Sequence, residues 1–132
     1  MNIKRHVIAG IEKHAWECTP HECCGLLSGR GDVIEQLYRL TNAAQTPETR
    51  YFAEPRGIFQ AQKLIRLRGE KLMGIYHSHP RSPAHPSPTD VEQAYYPEVV
   101  YFIISLAPKL ELRAYRILTG HVEEVRFEIV DD

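Results

Sequence analysis

The residues best suited to chemistry lie between positions 76 and 90. His77 and His79 stand two apart at the end of an apolar run, and residues i and i+2 of a strand project from one face. Both imidazoles can therefore converge on one ion. Asp90 lies eleven residues beyond His79, after a proline-rich segment that can turn it back against the strand end. Two imidazoles and a carboxylate make a borderline-hard donor set suited to Zn²⁺, with the fourth position left to water. Three protein ligands and an open position form the catalytic rather than the structural pattern. Ser87 precedes Asp90 by three residues, so its hydroxyl would sit beside the metal and hydrogen-bond a developing oxyanion. A base should come from another element. Glu22 is a candidate because an acidic residue opening the apolar run 23–28 has no other evident reason.

These residues also carry a family resemblance. His77-Ser78-His79, the seven residues from Pro80 to Pro86, and Ser87-Pro88-Thr89-Asp90 follow the pattern His-x-His, seven residues, Ser, two residues, Asp. That pattern resembles the zinc signature of the JAMM (MPN+) metalloproteases. Glu22-Cys23-Cys24-Gly25-Leu26-Leu27 resembles the same family's glutamate motif, and a weaker likeness runs through Asn42, Phe52 and the second helix to about Leu106. The resemblance implies a fold related to the cytidine deaminases, zinc held by His77, His79 and Asp90, and Ser87 as oxyanion stabiliser. It implies Glu22 as the general base that deprotonates the metal-activated water and passes the proton to the leaving amine.

The substrate expected on this footing is a ubiquitin-like or sulfur-carrier protein ending in Gly-Gly, cleaved at the amide or isopeptide bond after its C-terminus. The chain lacks long insertions and looks like a minimal prokaryotic-type member. Release of cysteine from a sulfur carrier is the closest specific alternative, and deconjugation from a lysine is the other. The extended tail would lie beside the metal by strand addition at a sheet edge. A non-catalytic interaction module that keeps zinc for structure is the competing class. Base deamination is disfavoured, because the Pro-Cys-x-x-Cys ligands of zinc deaminases are absent. The association of family members makes a homodimer one of the expected states.

The elements that must position these groups are legible from periodicity. Residues 2–19 read as a short opening strand running into a helix with Ile3, Val7, Ile8, Ile11 and Ala15 inward. Residues 23–28 and 33–40 read as a hairpin around Gly29-Arg30-Gly31-Asp32, and 41–49 as a loop. A second helix fits residues 55–68, with Ile58, Phe59, Leu64, Ile65 and Leu67 as its core side and Lys63, Arg66 and Arg68 as a solvated face. A strand over 72–78, a short capped helix from Ser87, and strands over 99–106, 110–118 and 122–130 complete the pattern. The sum is an α/β (α+β) chain, a central mixed sheet flanked by helices, expected to form one JAMM/MPN+ domain over residues 1–132.

Composition excludes several classes. Sixteen Lys+Arg against seventeen Asp+Glu give a net charge of -1, which argues against a nucleic-acid binder. No apolar run approaches the roughly 18–20 residues of a membrane span. The N-terminal segment lacks the apolar stretch of a secretory signal. Three cysteines, Cys18, Cys23 and Cys24, make a poor disulfide framework and point to the cytoplasm, with Cys23 and Cys24 read as core rather than as thiol nucleophiles. Of seven histidines, His6, His14, His21 and His121 show no partner pattern, and His85 reads as exposed in its loop.

Overall fold

Alternating and continuous apolar runs decide the framework. The computed structural model describes residues 1–132 as β1 (Asn2–Lys4), α1 (Arg5–Cys18), β2 (Cys24–Arg30), β3 (Val33–Leu40), α2 (Pro55–Leu67), β4 (Lys71–His79), α3 (Pro88–Glu92), β5 (Val100–Ser105), β6 (Glu111–Leu118), β7 (His121–Val125) and β8 (Glu128–Val130). All eight strands join one mixed sheet in the order β7-β6-β5-β4-β2-β3-β1-β8. The pairs β4–β5, β1–β3 and β1–β8 are parallel and the rest antiparallel. The mixed α+β architecture expected from the sequence is the one observed. No helix is long and apolar enough to cross a membrane.

The C-terminal segment corrects one expectation. Residues 122–130 do not form one strand: β7 ends at Val125, and β8 pairs with β1 at the opposite edge of the sheet. Flat, that journey would cross seven strand spacings of about 4.8 Å, roughly 34 Å. The Val125-to-Glu128 connection can span only about 11 Å. The sheet must therefore curl until its two edges approach. Phe127, in the connection, packs edge-on to Phe102 at 5.5 Å and seals the concave side.

Helix α1 fills that concave side. Ile3, Val7, Ile11 and Ala15 are fully buried with Leu27, Tyr76, Val100 and Phe102. The opposite face of the sheet carries α2, where Ala61 and Ile65 meet Cys24, Leu26 and Leu40. The expected inward side of α2 needs correction. Phe59, Leu64 and Leu67 are 66%, 50% and 74% exposed, and the buried stripe is Ile58, Ala61 and Ile65. At about 100° per residue, Leu67 falls opposite Ile58, so one narrow contact with the sheet could never bury both.

Alternation along β4 assigns its residues to two faces. Tyr76 and Ser78 point to the α1 side, while Ile75, His77 and His79 point away from it. Tyr76 crosses Gly25 on β2, where an added Cβ would stand 2.3 Å from the ring, so only glycine admits the tyrosine. The Tyr76 hydroxyl and Nδ1 of His14 share a hydrogen bond of 2.7 Å. His14 is 5% exposed, a core histidine rather than a surface one. Burial lowers its pKa from 6.5 to about 4, and the positive charge of Arg39 adds to the effect.

A folded-state pKa below the unfolded one means that the unfolded chain takes up a proton the native state refuses. Stability from neutral His14 is therefore complete above about pH 6.5 and lost as pH falls toward about 4. The slope from this one group can reach about 1.4 kcal/mol per pH unit. Thermal melts between pH 7 and 5 should show a falling midpoint, with the fall shallower in His14→Gln; parallel slopes in both proteins would contradict this role.

Candidate metal centre

The pairing of β4 with β2 and the turn into α3 bring the candidate ligands together. His77 Nε2 and His79 Nε2 lie 3.1 Å apart, and Asp90 Oδ2 is 3.1 Å and 3.0 Å from them. The triangle meets the fit expected of a tetrahedral ion, whose donors at about 2.0–2.1 Å stand about 3.3 Å apart. Both histidines are almost wholly buried. His79 Nδ1 donates to the Pro83 carbonyl at 2.8 Å, which leaves the Nε2 lone pair of the neutral ring facing the cluster. A positive charge is called for between that nitrogen and the Asp90 carboxylate, either a ring proton or a bound cation. Burial works to lower the His79 pKa, but Asp90 and the Pro83 carbonyl outweigh it and raise the value. Burial lowers the His77 pKa, with Asp90 only partly opposing it. Burial also works against ionised Asp90, but the two imidazoles and the Ser87 amide outweigh it and hold the carboxyl well below the usual range.

Asp90 is aimed by a capping box. The Ser87 hydroxyl accepts from Asp90 N at 3.0 Å, while Asp90 Oδ2 accepts from Ser87 N at 2.9 Å. The Ser87 hydroxyl proton remains free to donate, so the cap is compatible with an oxyanion role. Glu22 precedes β2, and Cys24 pairs with His77; continuing that antiparallel register places Glu22 beside His79. Glu22 is 5% exposed, and its Oε1 is buried without a hydrogen-bond partner. Burial pushes its carboxyl up to about 8; His79 opposes this and Asp90 reinforces it. Glu22, His79 and Ser87 line one polar cavity of about 210 Å³ together with Glu48, Arg81 and Ser82.

The stretch that holds two histidines on a strand, a capped aspartate and an unpartnered buried glutamate also lies within a family match. The description "Prokaryotic homologs of the JAB domain" matches residues 4–118. The chain belongs to the prokaryotic-type JAMM/MPN family. A protein of Mycobacterium tuberculosis named "CysO-cysteine peptidase" is 32% identical over 133 residues, covering 98% of this chain and 90% of that one. A "Probable TtuB-protein conjugate cleaving protease" of Thermus thermophilus is 37% identical over 92 residues, 70% of this chain but only 62% of its own length. The solution structure of a protein from Desulfitobacterium hafniense superposes with a TM-score of 0.90 at 34% identity, covering 99% of this chain and 93% of that one. These two curated relatives are thus named as a peptidase and a protease.

This JAMM/MPN chain contains positioning groups that the sequence did not reveal. Tyr51, in the loop before α2, stacks on the His77 ring with centroids 4.4 Å apart and planes 22° from parallel. His77 Nδ1 is buried without a hydrogen-bond partner, so on that side of the ring the stacking takes the orienting part that a hydrogen bond would play. Asn42 pins the same loop. Its Nδ2 donates to the carbonyls of Glu22 and Arg50, and its Oδ1 accepts from the amides of Ala44 and Phe52. An Asn before a loop hints at turn chemistry, but nothing in the spacing says that Tyr51 returns to His77.

Tyr51 also walls a second, apolar cavity of about 250 Å³ with Leu26, Ile58, Ile75, Tyr95 and Tyr101. Strand β4 is paired on both sides beside the cluster, and the free edges of the sheet are β7 and β8. A substrate strand added next to the candidate centre would therefore find no free edge on β4 itself. Cys23 and Cys24 are buried free thiols pushed up to about 12 by desolvation, as befits core residues and not nucleophiles. His85 is exposed and lies edge-on to Tyr115.

If Tyr51 orients His77, zinc affinity measured against a chromophoric chelator should weaken about tenfold in Tyr51→Ala. Tyr51→Phe, which keeps the ring, should retain it. Equal affinity in all three proteins would show that His77 is oriented by something else.

Proposed function

We propose that residues 1–132 form one JAMM/MPN+ metalloprotease domain, a zinc-dependent hydrolase. Its substrate is the amide or isopeptide bond after the C-terminus of a ubiquitin-like or sulfur-carrier protein ending in Gly-Gly. His77, His79 and Asp90 hold the zinc, Glu22 is the base and Ser87 the oxyanion donor. Zinc bound there would supply Lewis acidity, bringing the pKa of water toward about 7 and polarising the scissile carbonyl. The observation that carries the reading is the shared cavity in which buried Glu22, without a partner on Oε1, meets His79 and Ser87.

The chain's own groups supply the remaining steps. Glu22 takes the proton of the attacking water and returns it to the departing nitrogen. Its burial away from bulk water strengthens every interaction it makes with charge developing nearby. Ser87, already fixed by its bond from Asp90 N, offers its O–H to the carbonyl oxygen as that oxygen gains charge. The Gly-Gly tail runs in the apolar groove behind Tyr51, since glycines alone can bring the acyl backbone close to the ring-walled centre. The name of the mycobacterial relative favours a narrower form of the reading, release of cysteine from a sulfur carrier. Three free cysteines agree with a cytoplasmic setting.

Glu22→Gln should keep stoichiometric zinc and lower hydrolysis of a carrier–peptide fusion by at least about a hundredfold. Unchanged turnover would remove Glu22 as the base. His77→Ala should lose zinc by metal analysis, and full retention would refute that ligand. Chelation of the wild type should abolish turnover, with recovery on adding Zn²⁺.

A further inference from the structure

Two cavities of opposite character flank the centre, and their chemistry distinguishes the two leaving groups that the hydrolase reading leaves open. The same group that deprotonates water must protonate the departing nitrogen, so the leaving group belongs in the cavity that Glu22 lines. That cavity is polar, with Glu48 and Arg81 facing it beside Glu22 and Ser87. The larger apolar surface, walled by hydrophobic side chains, lies on the Tyr51 side. A lysine leaving group would bring four methylenes and no charge near the departing nitrogen, which would leave the Arg81 and Glu48 charges on this wall unanswered. A single amino acid brings an α-carboxylate instead, only two bonds from the departing nitrogen.

Arg81 is matched to that carboxylate. It is exposed, and neither it nor Glu48 takes part in any ion pair of the chain. A guanidinium presents its N–H donors in a planar fork that grips a carboxylate through two parallel bonds. Glu48, across the same cavity, offers an acceptor to the ammonium of the freed amino acid. The opposite charges of a zwitterion thus meet opposite charges on the wall.

We propose that the polar cavity is the site of a single leaving amino acid whose free α-carboxylate is received by Arg81. The assignment rests on the hydrolase reading and narrows it to release of one C-terminal amino acid. Water adds its oxygen to the acyl carbon, and the C–N bond breaks. The carrier leaves as a carboxylic acid, and the proton carried by Glu22 ends on the amine of the amino acid.

The test uses the zinc-loaded full chain and a ubiquitin-fold carrier ending in Gly-Gly. The carrier is extended by one alanine as free acid, by one alaninamide, or joined to a lysine side chain. The free acid should be cleaved at least about tenfold faster in kcat/KM than the amide, the loss expected for one charge-assisted contact. Arg81→Gln should collapse that ratio toward one, and Arg81→Lys should restore part of it. In parallel, L-alanine should shift the Arg81 Nε–H resonance and L-alaninamide should not. Equal cleavage of acid and amide, a ratio unmoved by Arg81→Gln, or fastest cleavage of the lysine conjugate would overturn the Arg81 assignment while leaving the hydrolase reading intact. Turnover of none of the three would overturn the hydrolase reading itself, and the leaving-group role with it.

Discussion

Ser78 is wholly buried, and it grips the chain opposite on both of its polar groups. Its hydroxyl accepts from the Cys23 amide at 2.8 Å, and its own amide donates to the Cys23 carbonyl at 3.1 Å. This clamp holds the register of β4 on β2 at the point where the chain leaves for Glu22. A slip of one residue would exchange the faces of β4. Tyr76 would lose its glycine gap and its bond with His14, and the two imidazoles would turn into the apolar core under α1. Stability and chemistry are thus set by the same ladder. The tyrosine is buried where packing rewards it, and the histidines next to it in sequence are turned to the reactive side by the pleat alone.

How much of this could be read in the chain depends on the range of the interaction concerned. The candidate ligands were legible because each of their constraints is local: the strand period joins His77 to His79, and a four-residue capping box fixes Asp90 relative to Ser87. Glu22 was reached through a motif, since only the long-range pairing of β2 with β4 brings it to His79. Tyr51 was not reached at all, because its contact with His77 depends on how a loop pinned by Asn42 closes over the sheet. The same distinction governs the errors of fold. Residues 122–130 have the composition of one strand, and only the curl of the sheet divides them between two edges. The apolar residues of α2 outnumber what one stripe can bury, and the sequence does not say which of them the sheet will select.

Helix α3 shows why local and long-range constraints had to be joined at Asp90. It has five residues and buries none of them, too few to repay the cost of nucleating a helix unaided. The Ser87–Asp90 box, worth about 1 kcal/mol in ordinary helices, is what its first turn chiefly depends on. The carboxylate oxygen that completes the box is the one facing both imidazoles. Holding that negative charge out of water calls for positive partners, and a divalent cation between it and the imidazoles would provide one. Helix formation at Ser87 and binding of a cation at the candidate centre would therefore be coupled equilibria, since each would stabilise the orientation that the other requires. The segment between His79 and Ser87 contributes to both. Its prolines at 80, 83 and 86 restrict the unfolded loop, and the Pro83 carbonyl fixes the His79 tautomer. A stretch too rich in proline for regular structure is thus the part of the chain that delivers one ligand while orienting another.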